Sequence, residues 1–276
     1  MKIVDRGSGI PVVVVPGIQG RWEWMAPAVD ALAARCRVIT FSLADEPSAE
    51  WPARGTGFDA YVDQVGQALD ASGLERAVVC GVSYGGLVAA AFARRCPERV
   101  AALALVSAIP PSWRPDARAQ FFMRSPNLLL PLFLLGALRL YPEIAAANDG
   151  WWGGVWAAVR QGARSLARFP APARMARRAR IAADAAVDGL ASLHVPVLVV
   201  TGEAGLDRVV PTHLTAEYGR IWPHATAVTF ERTGHLGLVT RPAEFAGIIV
   251  GFAETLRHDA GLKACGHERA TERRVG

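Results

Sequence analysis

The sequence predicts an α/β fold: a mostly parallel central sheet with helices on both faces, and an all-helical cap inserted between two of its strands. Three observations predict it. Short valine-rich runs without polar alternation recur as far as Val106 and return near Val195, as strands buried on both faces do. Segments with apolar residues at helical spacing separate these runs, and such crossovers imply parallel neighbours. Between Ser107 and Leu190 the strand pattern stops, and the chain becomes rich in Leu, Trp, Ala and Arg.

In chain order, Lys2 to Asp5 reads as a short first strand turned by Asp5-Arg6-Gly7-Ser8-Gly9, and Pro11 to Val15 as a fully buried one. Pro16-Gly17-Ile18-Gln19-Gly20 is a glycine-punctuated loop, after which Trp24 to Ala34 has helical spacing. Val38 to Phe41 is the next strand, followed by a polar loop with Asp45, Glu46 and Pro47. Phe58 to Ser72 is amphipathic, with Phe58, Tyr61, Val62, Val65 and Leu69 on one side and Gly73 as its stop. Strands at Ala77 to Cys80 and Val100 to Val106 bracket an alanine-rich helix. Prolines at 126, 131, 142, 170 and 172 cut the helical block into short pieces. The strand pattern resumes at Val195 to Val200 and at Ala227 to Phe230, and Pro242 to Leu256 closes the fold as a helix. Residues 258–276 are charged and without periodicity, as a disordered tail is. Residues 1–110 and 191–257 are therefore expected to form the core, and 111–190 the cap. A separate C-terminal domain from residue 111 is the alternative, but the resumed strands are too few for a sheet of their own.

Composition narrows the function. The 276 residues are 51% hydrophobic, with a mean hydropathy of +0.21, which argues for a large core and an apolar substrate surface. A net charge of +5 and a pI near 9.4 invite a nucleic-acid partner. Many of the arginines sit at helix ends or in the clusters Arg174 to Arg180 and Arg269 to Arg274, with no aromatic residues interleaved in either cluster, so no nucleic-acid partner is expected. Cys36, Cys80, Cys96 and Cys265 have neither disulfide nor metal spacing, which suits a reduced cytoplasm. The first residues lack the apolar core of a signal peptide. The longest apolar run, Leu128 to Leu138, is short for a bilayer span and contains Pro131 and Gly136, so no stable membrane insertion is expected.

The chemistry centres on Val78-Val79-Cys80-Gly81-Val82-Ser83-Tyr84-Gly85-Gly86. A serine raised on a sharp strand-to-helix turn needs glycine neighbours, because strand and helix close in on either side of it. The Tyr84 N–H, opening the helix, would stabilise charge on the reacting oxygen. Serine needs a base, and the base needs an orienting acid. His235, in Thr233-Gly234-His235-Leu236-Gly237 after a strand, is the best base. His194, His213, His224, His258 and His267 lie at a strand start, a helix start, a loop after Pro223 and the tail. Asp207, beyond the strand ending near Val200, is the preferred acid, with Glu203 its competitor in the same loop. The second oxyanion donor is expected from the loop after Val15, at Ile18 N–H or else Gln19 N–H, since Pro16 has none to give.

Together Pro16-Gly17-Ile18, the Ser83 elbow, Asp207-Arg208-Val209-Val210-Pro211 and Gly234-His235 resemble the α/β-hydrolase superfamily, specifically its capped, esterase-like members, over about residues 8–256. Three departures stand out: Pro16-Gly17 replaces the usual His-Gly, the loop from Gly202 to Asp207 is longer, and the short N-terminal part leaves the first antiparallel strand missing. The resemblance implies acyl transfer to water through Ser83, His235 and Asp207, with no metal or organic cofactor. A serine at the elbow argues against the dehalogenases and epoxide hydrolases of this superfamily, which use aspartate. Phe121, Phe122, Leu128 to Leu130, Leu132 to Leu135, Trp151, Trp152 and Trp156 are numerous for a short helical block. Packing of the cap accounts for such residues, but their excess points to a greasy pocket and a small or medium hydrophobic ester, with Gln19, Trp22 and Trp24 on its wall. The Leu128 to Leu138 patch is alternatively a homodimer or membrane-surface contact. Rival functions are carbon–carbon or lactone hydrolysis or perhydrolysis by the same triad, and a non-catalytic binding protein on this scaffold.

Overall fold

The computed structural model describes residues 2–50, 57–148 and 171–260. Its seven-stranded sheet has the order β1-β3-β2-β4-β5-β6-β7. The strands are β1 (Ile3–Arg6), β2 (Ile10–Val15), β3 (Cys36–Phe41), β4 (Ala77–Val82), β5 (Val100–Val106), β6 (Val197–Gly202) and β7 (Thr226–Phe230). All neighbours pair in parallel except β1, which runs antiparallel to β3 with Ile3 opposite Phe41. The expectation of a missing antiparallel strand is thus corrected. Four residues suffice for this edge, and Arg37 of β3 secures it with a two-pronged contact to the Asp5 carboxylate, at 3.1 and 2.7 Å.

Helices cover both faces. Alternate residues of each central strand feed two cores, which is why the valine runs carry no polar positions. Val13, Val15, Ile39, Val79, Leu103 and Leu105 point toward α2 (Phe58–Ala71) and α3 (Tyr84–Arg95). Val12, Val14, Val38, Val78, Cys80 and Ala104 point toward α1 (Ala26–Ala33) and the closing helix, numbered α8 below (Pro242–Ala260). Val12 to Val15 have no exposed surface, and burying each such side chain contributes roughly 1.5–3 kcal/mol. α2 ends where the sequence places a stop: Gly73 takes φ +63° and the Leu74 N–H reaches back to the Leu69 carbonyl.

Between β5 and β6 the described chain is helical: α4 (Ala117–Arg124), α5 (Leu130–Gly136), a 3₁₀ stretch (Ala137–Leu140), α6 (Tyr141–Ala147) and α7 (Pro172–Asp184). Residues 130–147 form an unbroken helical run of 18 residues with mean hydropathy 1.4, long and apolar enough to reach across a membrane. Reading the apolar run only as far as Leu138 underestimated it, because Pro131 falls in the first turn, where proline is tolerated, and Gly136 does not stop the helix. α8 likewise continues beyond Leu256 to Ala260. Trp151, Trp152, Trp156, Cys265 and the expected tail from residue 261 onward lie outside the described residues.

The carboxyl ends of the parallel strands all open on one edge, where a sheet of this kind carries its site. Ser83 follows β4, Ser107 follows β5, Glu203 follows β6 and Glu231 follows β7.

Candidate active site

Ser83 sits between β4 and α3 with φ +55° and ψ −119°. Holding a non-glycine residue there costs on the order of 1–3 kcal/mol, which the surroundings must offset. The Ser83 N–H donates to the Val106 carbonyl at 2.9 Å, and its carbonyl accepts from Gly86 at 2.9 Å and Ile109 at 3.3 Å. The glycines explain themselves by contact. A Cβ on Gly81 would stand 2.6 Å from the Gly86 Cα, one on Gly85 would press on the Val15 and Pro16 carbonyl oxygens, and one on Gly86 would overlap the Ala108 methyl. The spacing around the serine therefore records how closely β2, β4 and α3 meet.

The loop after β2 reaches the same point. A Cβ on Gly17 would lie 3.5 Å from the Ser83 Cβ and 3.3 Å from the Gln19 Oε1, so Gly17 borders the serine and the Gln19 side chain lies against Gly17. The loop is folded by a Gly20 N–H to Gly17 carbonyl bond of 2.9 Å, and the Ile18 carbonyl accepts from Arg178 Nη1 at 2.8 Å. Tyr84 is the first residue of α3, so its N–H belongs to the turn that has no acceptor within the helix. Its ring does something else: it is buried edge-on against Tyr61 and Phe58, at centroid distances of 5.8 and 6.4 Å.

Asp207 and His235 face each other, with the ring Nδ1 3.5 Å from Asp207 Oδ2. That is an ion-pair separation rather than a formed hydrogen bond, and such contacts are often loose before substrate binds. Asp207 Oδ1 accepts from the Val209 and Val210 amides at 3.0 and 2.9 Å. Burial works to raise the Asp207 carboxyl, but the histidine and these two amides outweigh it and hold the group below its ordinary value. The two loops are pressed together through glycine, since a Cβ on Gly234 would stand 2.7 Å from the Asp207 nitrogen. The longer loop is accommodated as one tight turn, in which the Leu206 and Asp207 amides both donate to the Glu203 carbonyl. Glu203 itself turns away from the histidine ring, its Oε1 accepting from the Arg232 amide at 2.6 Å. Ser83, Asp207 and His235 are all buried, at 6%, 5% and 8% exposure.

Among the predicted wall residues, Trp22 is half-buried against the α1–α8 core with the Arg6 guanidinium 5.2 Å from its ring centroid, so packing accounts for it. Trp24 is half-buried, and its indole N–H has no hydrogen-bond partner. Trp152 and Trp156 lie outside the described residues.

Two buried charges escaped the sequence reading. Arg178 of α7 is fully buried, bonded through Nε and Nη2 to Asp45 at 3.0 and 2.6 Å and to Glu46 at 2.6 Å, besides the Ile18 carbonyl. Glu143 of α6 is 1% exposed, and its Oε1 accepts from the amides of Gly234, at 2.8 Å, and Leu236. The only signal for Glu143 was its isolation, one carboxylate within Tyr141-Pro142-Glu143-Ile144-Ala145.

Known proteins resemble this chain along most of its length. It is 27% identical over 260 residues to a protein of Azorhizobium caulinodans named as a carbamate hydrolase, RutD, covering 90% of this chain and 92% of that one. It is 26% identical to the 2-hydroxymuconate semialdehyde hydrolase of Pseudomonas sp. strain CF600, covering 90% and 88%. An esterase structure from Exiguobacterium antarcticum superposes with a TM-score of 0.75 at 19% identity, covering 91% of this chain and 94% of that one. The sequence pattern of the alpha/beta hydrolase fold family matches residues 10–242, and the chain belongs to that family.

Proposed function

We propose that the protein is a serine hydrolase that cleaves carboxylic esters of small or medium hydrophobic substrates through an acyl-enzyme. The observation that carries this reading is the strained Ser83 turn, held at φ +55° and ψ −119° between β4 and α3 with Gly81, Gly85 and Gly86 packed too closely for any side chain. The Asp207–His235 pair at the same sheet edge supports it.

On this reading the steps are those of acyl transfer to water. With Nδ1 turned to Asp207, the Nε2 of His235 is the nitrogen left to take the Ser83 Oγ proton as Oγ attacks the substrate carbonyl. The oxyanion is held by the Ile18 and Tyr84 N–H groups. Collapse breaks the bond to the leaving group, which departs with the proton from His235. A water then gives its proton to His235 and attacks the acyl-enzyme, and Ser83 recovers that proton as the acid leaves. Asp207 holds the ring and stabilises the imidazolium in both halves.

The names of the relatives cover carbamate and semialdehyde hydrolysis as well, and the same triad serves carbon–carbon and lactone cleavage. The discriminating experiment is a time course on para-nitrophenyl esters of increasing chain length, beside a lactone and an aryl carbamate, with wild type and Ser83→Ala. Turnover of the esters by wild type, lost by at least about 10³-fold in Ser83→Ala, is the expected result. Turnover of only the lactone or carbamate reassigns the substrate class. Equal rates in both proteins overturn the serine mechanism.

A further inference from the structure

The reaction steps above leave Glu143 without a role, although it is a fully buried carboxylate beside the histidine loop. Its Oε1 takes the N–H groups of Gly234 and Leu236, the residues on either side of His235, while its Oε2 is buried with no hydrogen-bond partner. Burying a carboxylate with one oxygen unpaired is costly, and an apolar residue would serve packing better. Glu143 belongs to α6, far from the β7 loop in sequence, and a second tie joins the same partners: Arg232 Nε donates to the Ala146 carbonyl at 3.0 Å. The charged groups that act on the carboxylate among the described residues are His235 and Asp207, one favouring its ionised form and the other opposing it.

We propose that Glu143 is a positioning residue of the catalytic base: from α6 it clamps the peptide groups on both sides of His235, so the imidazole is aligned only while the inserted helices are seated. This rests on the assignment of His235 as the base. Burial pushes the Glu143 carboxyl up to about 7 against the pull of the two amides. Below that pH the neutral acid still offers Oε1 to both amides. Above it the clamp gains a charge that favours the imidazolium formed in the transition state.

The test compares wild type with Glu143→Gln and Glu143→Ala, with Ser83→Ala beside them, by kcat and KM from pH 5 to pH 9. Loss of both acceptors in Glu143→Ala should lower kcat about 10- to 100-fold with KM within about threefold, as misplacement of a reacting group does. Glu143→Gln keeps an acceptor oxygen and should recover most of that kcat at pH 6, while losing the added rise that wild type has through about pH 7. An NMR titration of the full-length protein reads the clamp without turnover: the Gly234 and Leu236 amide signals should show a step near pH 7 from the Glu143 carboxyl in wild type and lose that step in Glu143→Gln. Amides that lack that step in wild type, or a Glu143→Ala enzyme with wild-type kcat, overturn the proposal; if Glu143→Ala fails to fold, Glu143→Gln and the titration decide. Activity surviving in Ser83→Ala defeats the serine mechanism instead, and leaves the titration to judge the clamp.

Discussion

Asp207 and Glu203 lie in one loop, and their surroundings assign them different work. Asp207 presents one oxygen to the His235 ring and secures the other with two amides, whereas Glu203 is spent on the Arg232 amide. Asp207→Asn should therefore lower kcat by about 10³- to 10⁴-fold through loss of the correct tautomer, and Glu203→Gln should leave it within a few fold. Comparable losses in both variants would contradict the assignment. Tyr84 separates backbone from side chain in the same way. Its phenol is buried without a hydrogen-bond partner, and burial raises its pKa further, so Tyr84→Phe should keep kcat and raise stability by about 1 kcal/mol in thermal unfolding. A large loss of kcat would show that the hydroxyl is used. The turn at Ser83 was legible in the sequence because the crowding at a strand–helix turn leaves a steric signature of glycines within a few residues. Glu143 and Arg178 were not, because their partners lie 91 and 132 residues away and no local rule connects them.

The strands and main helices fell close to where periodicity placed them, since the central strands β2 to β6 are buried on both faces, unlike the edge strands β1 and β7, and each covering helix on one. Less legible was what the inserted helices hold. Arg178 of α7 binds Asp45, Glu46 and the Ile18 carbonyl, so one side chain ties both the loop after β3 and the loop after β2. With proline in place of the usual histidine at residue 16, this guanidinium ties the loop alongside its Gly20–Gly17 and Leu43–Gly20 backbone bonds. Arg178→Met should destabilise the protein by about 3 kcal/mol, because it leaves the Asp45 carboxylate without its cation and Glu46 with Arg174 alone, at 3.0 and 3.1 Å, and folded material should lose kcat more than affinity. Unfolding by urea and steady-state kinetics would check both parts, and a neutral effect on stability would contradict the network.

For the whole molecule, the sheet carries the stability and the helical insert carries an unusual surface. Leu128, Leu135 and Leu138 are exposed by 63–80%, whereas Leu103 and Leu105 at the sheet centre have no exposed surface. Leu135→Asp should change stability by no more than about 0.5 kcal/mol, against about 2–5 kcal/mol for Leu103→Ala. Protonation adds a global signature. An unfolded chain releases the Glu143 proton near its ordinary value of 4.5, while the folded protein keeps it up to about 7. Wild-type stability should therefore fall, relative to Glu143→Gln, as pH rises between those values, and match it below them. Melting temperatures of the two proteins across that range measure the difference, and parallel curves would place the carboxyl in solvent. The fold class was legible because it depends on pattern alone. Substrate choice was not, since it depends on which side chains surround the substrate, and no local pattern reports that.

The central claim is that Ser83 is the nucleophile, activated by His235 and Asp207. Treating intact wild type, Ser83→Ala and His235→Ala with a para-nitrophenyl alkylphosphonate, followed by mass spectrometry, tests it most directly. One adduct per chain on the Ser83 peptide, no adduct in Ser83→Ala and a strongly slowed one in His235→Ala is the predicted result. An adduct on another residue, or equal labelling of wild type and Ser83→Ala, would contradict it.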